Sequence, residues 1–361
     1  MTPVPDADRF AALLCDWCLE VQPGQQVAVV STTLALQPVS ALYRALLERG
    51  AWPLLRLSPP GLAPDLYRYA SEAQLDSFAP LELTEVQSID SWLRIDAPSN
   101  TAALSGVDPG LVTRVARARA AIQEQRLKLR WCGTIWPTPA LAQQAGMDES
   151  DYAAFIERAL FLDQPDPVVA WQALSERQAV LVERCSRARE VRIESDRTDL
   201  RLRVDGRTWI NSDGRRNMPS GEVFTGPLED SADGTIRFDV PSLTRGAEVV
   251  GAELTFKAGQ VVAARAERGD AVLQAALADP GARFLGELGI GTNTGIDRAT
   301  GSTLLDEKIG GTVHLAIGRS YPETGGTNQS TIHWDLVCDL RGGGRLTLDG
   351  DPLIEDGALV G

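Results

Sequence analysis

The run Gln26-Val-Ala-Val-Val-Ser31 is rich in β-branched residues, and the apolar run Trp52-Pro-Leu-Leu-Arg-Leu57 follows it after a helix-forming segment at residues 38–48. β-Branched side chains favour strands, and Gly50 is a typical residue just beyond a helix end. A strand, a helix and a second strand in this order form a right-handed unit with parallel strands. The amino-terminal half is therefore predicted to be an open α/β sheet.

The same alternation continues up to about residue 187. Strands are predicted near residues 88–95 and 127–135, and helices near residues 6–20, 109–124, 139–145, 149–162 and 168–185. From Glu190 onward short runs alternate apolar and polar residues between turns, which is typical of strands with one buried face. We predict two domains: an α/β amino-terminal domain at residues 1–187 and a β-rich α+β carboxy-terminal domain at residues 188–361.

Composition narrows the class of protein. The chain has 361 residues and a formal net charge of −14, which disfavours nucleic acid and anionic membranes as partners and favours cationic ligands. Neither a secretory signal nor an apolar run long enough to span a bilayer is present, so a cytoplasmic protein is expected. Five scattered cysteines suit a reducing compartment, and Cys15 and Cys18 fall in an amphipathic helix pattern as ordinary helix thiols.

Both histidines of the chain lie in one stretch, Asp306 to Asp335. Each is close to another side chain that can bind metal: Tyr321 follows His314 by seven residues, and Asp335 follows His333 by two. Imidazole and carboxylate together suit a borderline divalent ion such as zinc, cobalt or manganese. A metal site is therefore the first hypothesis.

Four carboxylates stand in apolar or glycine-rich sequence rather than in charged runs: Glu222, Glu287, Glu307 and Asp335. Burying a carboxylate is costly unless it is paired or bound to metal. Taken singly, Glu222, Glu287 and Glu307 are more often caps or surface residues, Asp335 could simply pair with an arginine, and a lone histidine is more often structural than a ligand. Their occurrence together with the only two histidines favours a site.

The motifs around these residues resemble the metallo-aminopeptidase family of aminopeptidase T, aminopeptidase S and aminopeptidase II. The motifs are Asn217-Met-Pro-Ser-Gly-Glu-Val-Phe-Thr225, Gly286-Glu-Leu-Gly-Ile-Gly-Thr-Asn293, Leu304-Leu-Asp-Glu-Lys-Ile-Gly-Gly-Thr-Val-His314, Gly318-Arg-Ser-Tyr-Pro322 and Asn328-Gln-Ser-Thr-Ile-His-Trp-Asp335. Val21-Gln-Pro-Gly-Gln-Gln-Val27, Asn100 and Trp136-Pro-Thr-Pro139 extend the resemblance over almost the whole chain.

The resemblance implies two divalent metal ions, zinc, cobalt or manganese, in the carboxy-terminal domain. Carried over by motif, their ligands are Glu222, Glu287, His314, His333 and Asp335. Two further residues receive open roles: Tyr321 as a metal ligand or an oxyanion-stabilising catalytic residue, and Glu307 as a ligand or the general base. A homodimer is also implied. The segment between Tyr321 and His333 is shorter than expected of the best-known members, which puts the shape of the substrate pocket in doubt.

The predicted function is a metal-dependent aminopeptidase that releases N-terminal amino acids from peptides by means of water activated by two metals. The substrates would be peptides with a free amino terminus, since an α-amine can bind a metal or a nearby acid. Two alternatives remain open at this point: a non-catalytic peptide- or metal-binding protein on the same fold, and another metal-dependent amidohydrolase.

Overall fold

The computed structural model describes residues 4–244 and 247–360, which form two compact units. The first unit comprises the chain up to Trp171 together with Gly214–Pro219, and the second comprises Gln172–Asp213 and the chain from Ser220 onward. The predicted domain boundary between residues 187 and 188 stays a prediction. Within the described ranges, no helix has the length and apolar character needed to cross a membrane.

The first unit contains a five-stranded parallel sheet with the order β2-β1-β3-β4-β8. Its strands are β1 (Gln26–Thr32), β2 (Trp52–Ser58), β3 (Ser91–Asp96), β4 (Arg130–Ile135) and the late strand β8 (Asn217–Met218). Its helices are α1 (Ala7–Leu13), which continues as a π-helical turn at Leu14–Cys18, α2 (Leu36–Glu48), α3 (Ala63–Tyr69), α4 (Glu72–Leu75), α5 (Pro80–Ser88), α6 (Pro109–Ala118), α7 (Ala120–Lys128), α8 (Pro139–Gln144) and α9 (Glu149–Ala159). Helix α10 (Pro167–Arg187) follows.

The structure differs from the predictions at three places in this part of the chain. The helix predicted at residues 109–124 is two helices, α6 and α7, because Arg119 leaves helical geometry between them with a ψ of 10°. The strand predicted from residue 127 begins only at Arg130. Helix α5 was not predicted, since Val86 is its only buried residue and Leu81 is exposed, so no apolar stripe marks it.

The second unit is built from antiparallel strands. An eight-stranded sheet has the order β14-β13-β10-β6-β5-β18-β19-β20, and a five-stranded sheet has the order β17-β16-β15-β9-β7. The strands are β5 (Glu190–Ser195), β6 (Thr198–Arg203), β7 (Ile210–Ser212), β9 (Glu222–Thr225), β10 (Asp233–Arg237), β11 (Ser242–Thr244), β12 (Ala247–Val249), β13 (Glu253–Lys257), β14 (Gln260–Arg265), β15 (Leu285–Gly291), β16 (Thr312–Gly318), β17 (His333–Asp339), β18 (Arg345–Leu348), β19 (Asp351–Glu355) and β20 (Ala358–Leu359). Strands β11 and β12 pair separately, and the two short helices are α11 (Asp270–Ala276) and α12 (Thr303–Asp306).

One apolar core serves both large sheets of this unit. Ile193 and Leu254 from the eight-stranded sheet belong to the same buried cluster as Leu288 and Leu315 from the five-stranded sheet, and all four are fully buried. Burying apolar surface on one face of each sheet is what holds such layers together. The predicted α/β amino-terminal half and β-rich remainder are confirmed.

Strand β15 was not predicted, because its sequence Leu-Gly-Glu-Leu-Gly-Ile-Gly carries three glycines, which weaken strand propensity. All seven of its residues are buried. Tertiary packing on both faces therefore determines this strand, and the strand carries Glu287.

Candidate metal centre

Four strands of the five-stranded sheet bring the five predicted metal ligands together. Strand β9 carries Glu222, β15 carries Glu287, β16 carries His314, and β17 carries His333 and Asp335. Glu287 and Asp335 both pair with Ala316, one from each side. Residues directly opposite one another across a sheet point to the same face, as do residues two apart on one strand. The sheet register therefore groups residues that are far apart in sequence.

Glu222, Glu287 and His314 form the first group of ligand atoms. His314 Nε2 lies 3.3 Å from Glu222 Oε2 and 3.3 Å from Glu287 Oε1. One ligand atom from each residue lies within 4.8 Å of the others. This spacing lets one ion contact all three side chains.

Glu287, His333 and Asp335 form the second group. His333 Nε2 lies 3.3 Å from Glu287 Oε2 and 3.5 Å from Asp335 Oδ1, and these ligand atoms also lie within 4.8 Å of one another. Glu287 therefore belongs to both groups, with one carboxylate oxygen directed to each histidine.

The donor set fits a divalent metal. Glu222 Oε2 and Asp335 Oδ1 are buried and have no hydrogen-bond partner among the described atoms. Leaving a buried carboxylate oxygen unsatisfied is costly, whereas a metal ion would satisfy both oxygens. Mixed imidazole and carboxylate donors are typical ligands of zinc, cobalt and manganese.

The acids strongly favour positive charge on the two imidazoles. Burial lowers the pKa of His314, but its hydrogen bond to Glu287 and the charges of Glu222 and Glu287 outweigh burial and raise the pKa to about 9. Burial likewise lowers the pKa of His333, while the adjacent carboxylates of Asp335 and Glu287 raise it to about 11. A bound cation would take the place of these protons, because a ligating imidazole is neutral.

A backbone contact sets the tautomer of His333. His333 Nδ1 donates to the carbonyl oxygen of Arg319 at 2.7 Å. The proton on Nδ1 leaves the lone pair of Nε2 free to bind metal, which is the arrangement usual for ligating histidines.

Gly289 gives His314 its position. A Cβ atom at residue 289 would lie 2.1 Å from both Cε1 and Nε2 of His314, which stands opposite it in the sheet register. Such a contact is far inside van der Waals distance. Only glycine at this position leaves room for the imidazole above the strand.

Glu307 lies beside the two groups but belongs to neither of them. The side chain of Glu307 forms a hydrogen-bonded ion pair with the side chain of Lys308. The ammonium nitrogen of Lys308 also lies 3.3 Å from Glu222 Oε1. Burial raises the pKa of Glu307, Lys308 lowers it, and Glu222 and Asp335 raise it again, for a net value of about 8. The carboxyl group is therefore close to its titration point near neutral pH.

Tyr321 packs against the second group. The centroid of its ring lies 4.8 Å from that of His333 and 5.9 Å from that of Phe224. Burial raises the pKa of the Tyr321 hydroxyl, and the charges of Glu287 and Asp335 raise it further, so the hydroxyl is protonated at neutral pH. Whether it binds metal or stabilises an oxyanion stays a prediction.

A narrow cleft of about 10 Å³, room for about one water molecule, lies beside Glu307 and Asp335. Its other lining residues are mainly apolar or neutral and include Val240, Pro241, Ser242, Leu243, Thr303 and Val337. Apart from Asp306, Glu307 and Asp335, the wall of the cleft is uncharged.

Three residues that shape this site were not predicted from the sequence: Gly289, Lys308 and Gln178. Gln178, from helix α10, donates its side-chain N–H to the carbonyl oxygens of Glu222 and Ser212. Lys308 had one visible signal, since it is one of only three lysines in the chain and sits between Glu307 and an apolar, glycine-rich run.

Comparison with known proteins identifies the relatives of the chain. Residues 5–357 match the family model described as thermophilic metalloprotease (M29). Aminopeptidase 2 from Geobacillus stearothermophilus is 29% identical, with 96% of this chain and 94% of the relative covered. Aminopeptidase T from Thermus aquaticus is 28% identical, with 98% and 96% covered.

A solved structure has the same fold. The structure titled wild-type AmpT from Thermus thermophilus superimposes with a TM-score of 0.83 at 25% sequence identity, covering 98% of this chain and 99% of that one. The similarity therefore extends over both compact units.

Proposed function

Since this chain belongs to the thermophilic metalloprotease (M29) family, we propose that it removes single residues from the amino termini of peptides with the help of two divalent metal ions. It is a metallo-aminopeptidase, a hydrolase acting on peptides, as its relatives are. The proposal adds the number of ions, their ligands and the residue that moves the proton.

The observation that carries the two-ion proposal is the position of Glu287. Its Oε1 faces His314 and its Oε2 faces His333, so the two ligand groups share one carboxylate. A shared carboxylate suits two ions close enough to act on the same substrate atom. We assign Glu222 and His314 to one ion, His333 and Asp335 to the other, and Glu287 to both.

The five ligands together with Glu307 and Lys308 are called the cradle below. The net charge of the cradle supports the binding of two ions. With neutral histidines and ionised acids, its four carboxylates and one ammonium leave a net charge of −3 in an almost fully buried site. Buried charge of this size requires compensation. When Glu307 is ionised, one divalent ion would leave a net charge of −1, whereas two ions would offset all four acids.

Bound divalent ions would supply Lewis acidity, polarising the scissile carbonyl and making water nucleophilic near neutral pH. The remaining chemistry belongs to side chains. Glu307 lies outside both ligand groups at the wall of the cleft, so we assign it as the general base that accepts a proton from water and returns it to the leaving amine. Of the two roles predicted for Glu307, we propose the general base.

The acidic end of the cleft suits the free α-ammonium of a peptide. Glu307 and Asp335 line this end and would attract an ammonium by their charge while keeping their roles as general base and metal ligand. A substrate anchored by its amino terminus presents its first peptide bond to the site, which limits hydrolysis to one residue at a time.

The test uses an aminoacyl p-nitroanilide, a short unblocked peptide and its N-acetylated counterpart. We expect release of the first residue from the unblocked substrates, loss of activity with a chelator and recovery with zinc, cobalt or manganese, with two ions per chain by elemental analysis. Hydrolysis of the acetylated peptide would contradict the aminopeptidase assignment, and one ion in the fully active enzyme would contradict the two-ion site.

Two further expectations stay predictions. Sedimentation equilibrium would show whether the chain forms a homodimer, and fractionation of the source cells would test a cytoplasmic location. The short segment between Tyr321 and His333 is expected to alter the substrate pocket. Comparing the hydrolysis of p-nitroanilides with different first residues would test this expectation.

A further inference from the structure

Lys308 is an unusual residue for an acidic metal site. Its side chain is fully buried, and its ammonium contacts Glu307 and lies 3.3 Å from Glu222 Oε1. The chain contains only three lysines. A cation placed beside metal ligands repels the metal, so its presence in the cradle requires an explanation.

The two carboxylate oxygens of Glu222 have different neighbours. Oε1 faces Lys308, whereas Oε2 is buried without a hydrogen-bond partner and lies 3.3 Å from His314 Nε2, on the side of the first ligand group. Lys308 therefore occupies one oxygen and leaves the other free for an ion. This contact leaves Glu222 Oε2 directed to His314 and the first ligand group.

The same ammonium compensates the acids. With neutral histidines, as in a metal-loaded site, loss of Lys308 would change the net charge of the cradle from −3 to −4. Removing one partner of a buried ion pair is destabilising, because Glu222 and Glu307 would then lose a buried counter-ion. Divalent ions would supply the missing positive charge. Loss of Lys308 should therefore reduce the stability of the metal-free protein more than that of the metal-loaded protein.

We propose that Lys308 is an internal counter-ion that keeps the cradle assembled in the absence of metal and lowers its affinity for divalent cations. Lys308 is a positioning residue: it acts through Glu222 and Glu307. The inference rests on the proposed function, since it takes the cradle to be a metal site. Its consequence is that metal can leave and return without unfolding the site.

The test is a thermodynamic cycle between Lys308 and Zn²⁺, measured on the full chain. Lys308→Met keeps the length of the side chain and removes its charge. The melting temperature is recorded after chelation and in excess Zn²⁺, and the Zn²⁺ dissociation constant is measured by competition with a chromophoric chelator. Lys257→Met, at an exposed position, is the matched control.

We expect the melting temperature of metal-free Lys308→Met to fall well below that of the wild type, and Zn²⁺ to restore most of the difference. Its Zn²⁺ affinity should rise at least about tenfold, because a unit charge no longer opposes a divalent ion at close range. The double variant Glu307→Gln/Lys308→Met returns the net charge to −3, so its affinity should move back towards the wild-type value. Lys257→Met should match the wild type.

Three results would overturn the inference: equal loss of stability with and without Zn²⁺, unchanged or weaker Zn²⁺ binding by Lys308→Met, or failure of that variant to fold even in excess Zn²⁺. Each would give Lys308 a purely structural role or a role in attracting metal. Failure of the wild-type chain itself to bind Zn²⁺, Co²⁺ or Mn²⁺ would instead contradict the proposed function.

Discussion

Gly289→Ala should disable the metal centre through one methyl group. A Cβ at residue 289 would lie 2.1 Å from His314 Cε1 and Nε2, whereas ordinary contacts begin near 3.4 Å. The imidazole would have to retreat by the difference, about 1.3 Å. Gly289 has no positive φ that would strain an alanine, so the effect comes from this clash alone.

The displacement is large compared with what a metal site tolerates. Ligand distances in metal sites hold to within about 0.2 Å, and misplacing a reacting group by about 1 Å costs about 100-fold in rate. We therefore expect kcat/KM to fall at least about 100-fold and the metal content to fall with it. Overpacking the buried strand should lower the free energy of unfolding by about 1–3 kcal/mol.

The assay combines p-nitroanilide hydrolysis, elemental analysis and thermal unfolding. Gly342→Ala is the matched control, because a Cβ there would meet nothing within 4 Å. Full activity and full metal content in Gly289→Ala would refute the reasoning, since His314 could then not be a ligand in the position described.

Three further outcomes are expected. Glu287→Ala should remove both ions, whereas Glu222→Ala should spare the ion assigned to His333 and Asp335; equal metal content in the two variants would contradict the shared carboxylate. Glu307→Gln should lower kcat by about 100-fold or more with full metal content in excess Zn²⁺, and loss of metal under those conditions would instead make Glu307 a ligand. In the chelated protein the raised pKa values of His314 and His333 contribute stability that is complete below about pH 6.5 and is lost as the pH rises through about 9 and 11. Chemical denaturation at pH 7 and pH 10 should therefore show a larger loss for the chelated than for the metal-loaded protein, and an equal loss would argue against protonated histidines in the empty site.

The candidate metal ligands were easier to predict from the sequence than the three-dimensional arrangement of the strands that carry them. His314, His333, Glu222, Glu287 and Asp335 stand out because histidine is scarce in this chain and acids are rare in apolar, glycine-rich sequence. Local motifs also identify parallel strands such as β1, since β-branched runs form strands in most contexts. Their roles as ligands stay predictions until metal is measured.

The sequence did not predict which residues from distant segments lie close together in space. The pairing of Glu287 and Asp335 with Ala316 depends on strand register, and register depends on which faces are buried. Strand β15 itself is set by packing on both faces, against the weak propensity of its glycines. The sharing of Glu287 between two ligand groups is consequently a property of the assembled sheet.

The amino-acid sequence by itself determined the kinds of ligand, their α/β and β-rich surroundings and the acidic character of the site, because these follow from side-chain chemistry and local pattern. Only the tertiary structure decided that Glu287 faces both histidines, that Gly289 makes room for His314 and that Lys308 lies buried against Glu222. These contacts join residues separated by tens of positions, and through-space electrostatics and packing act only once the sheet has brought them within a few ångströms.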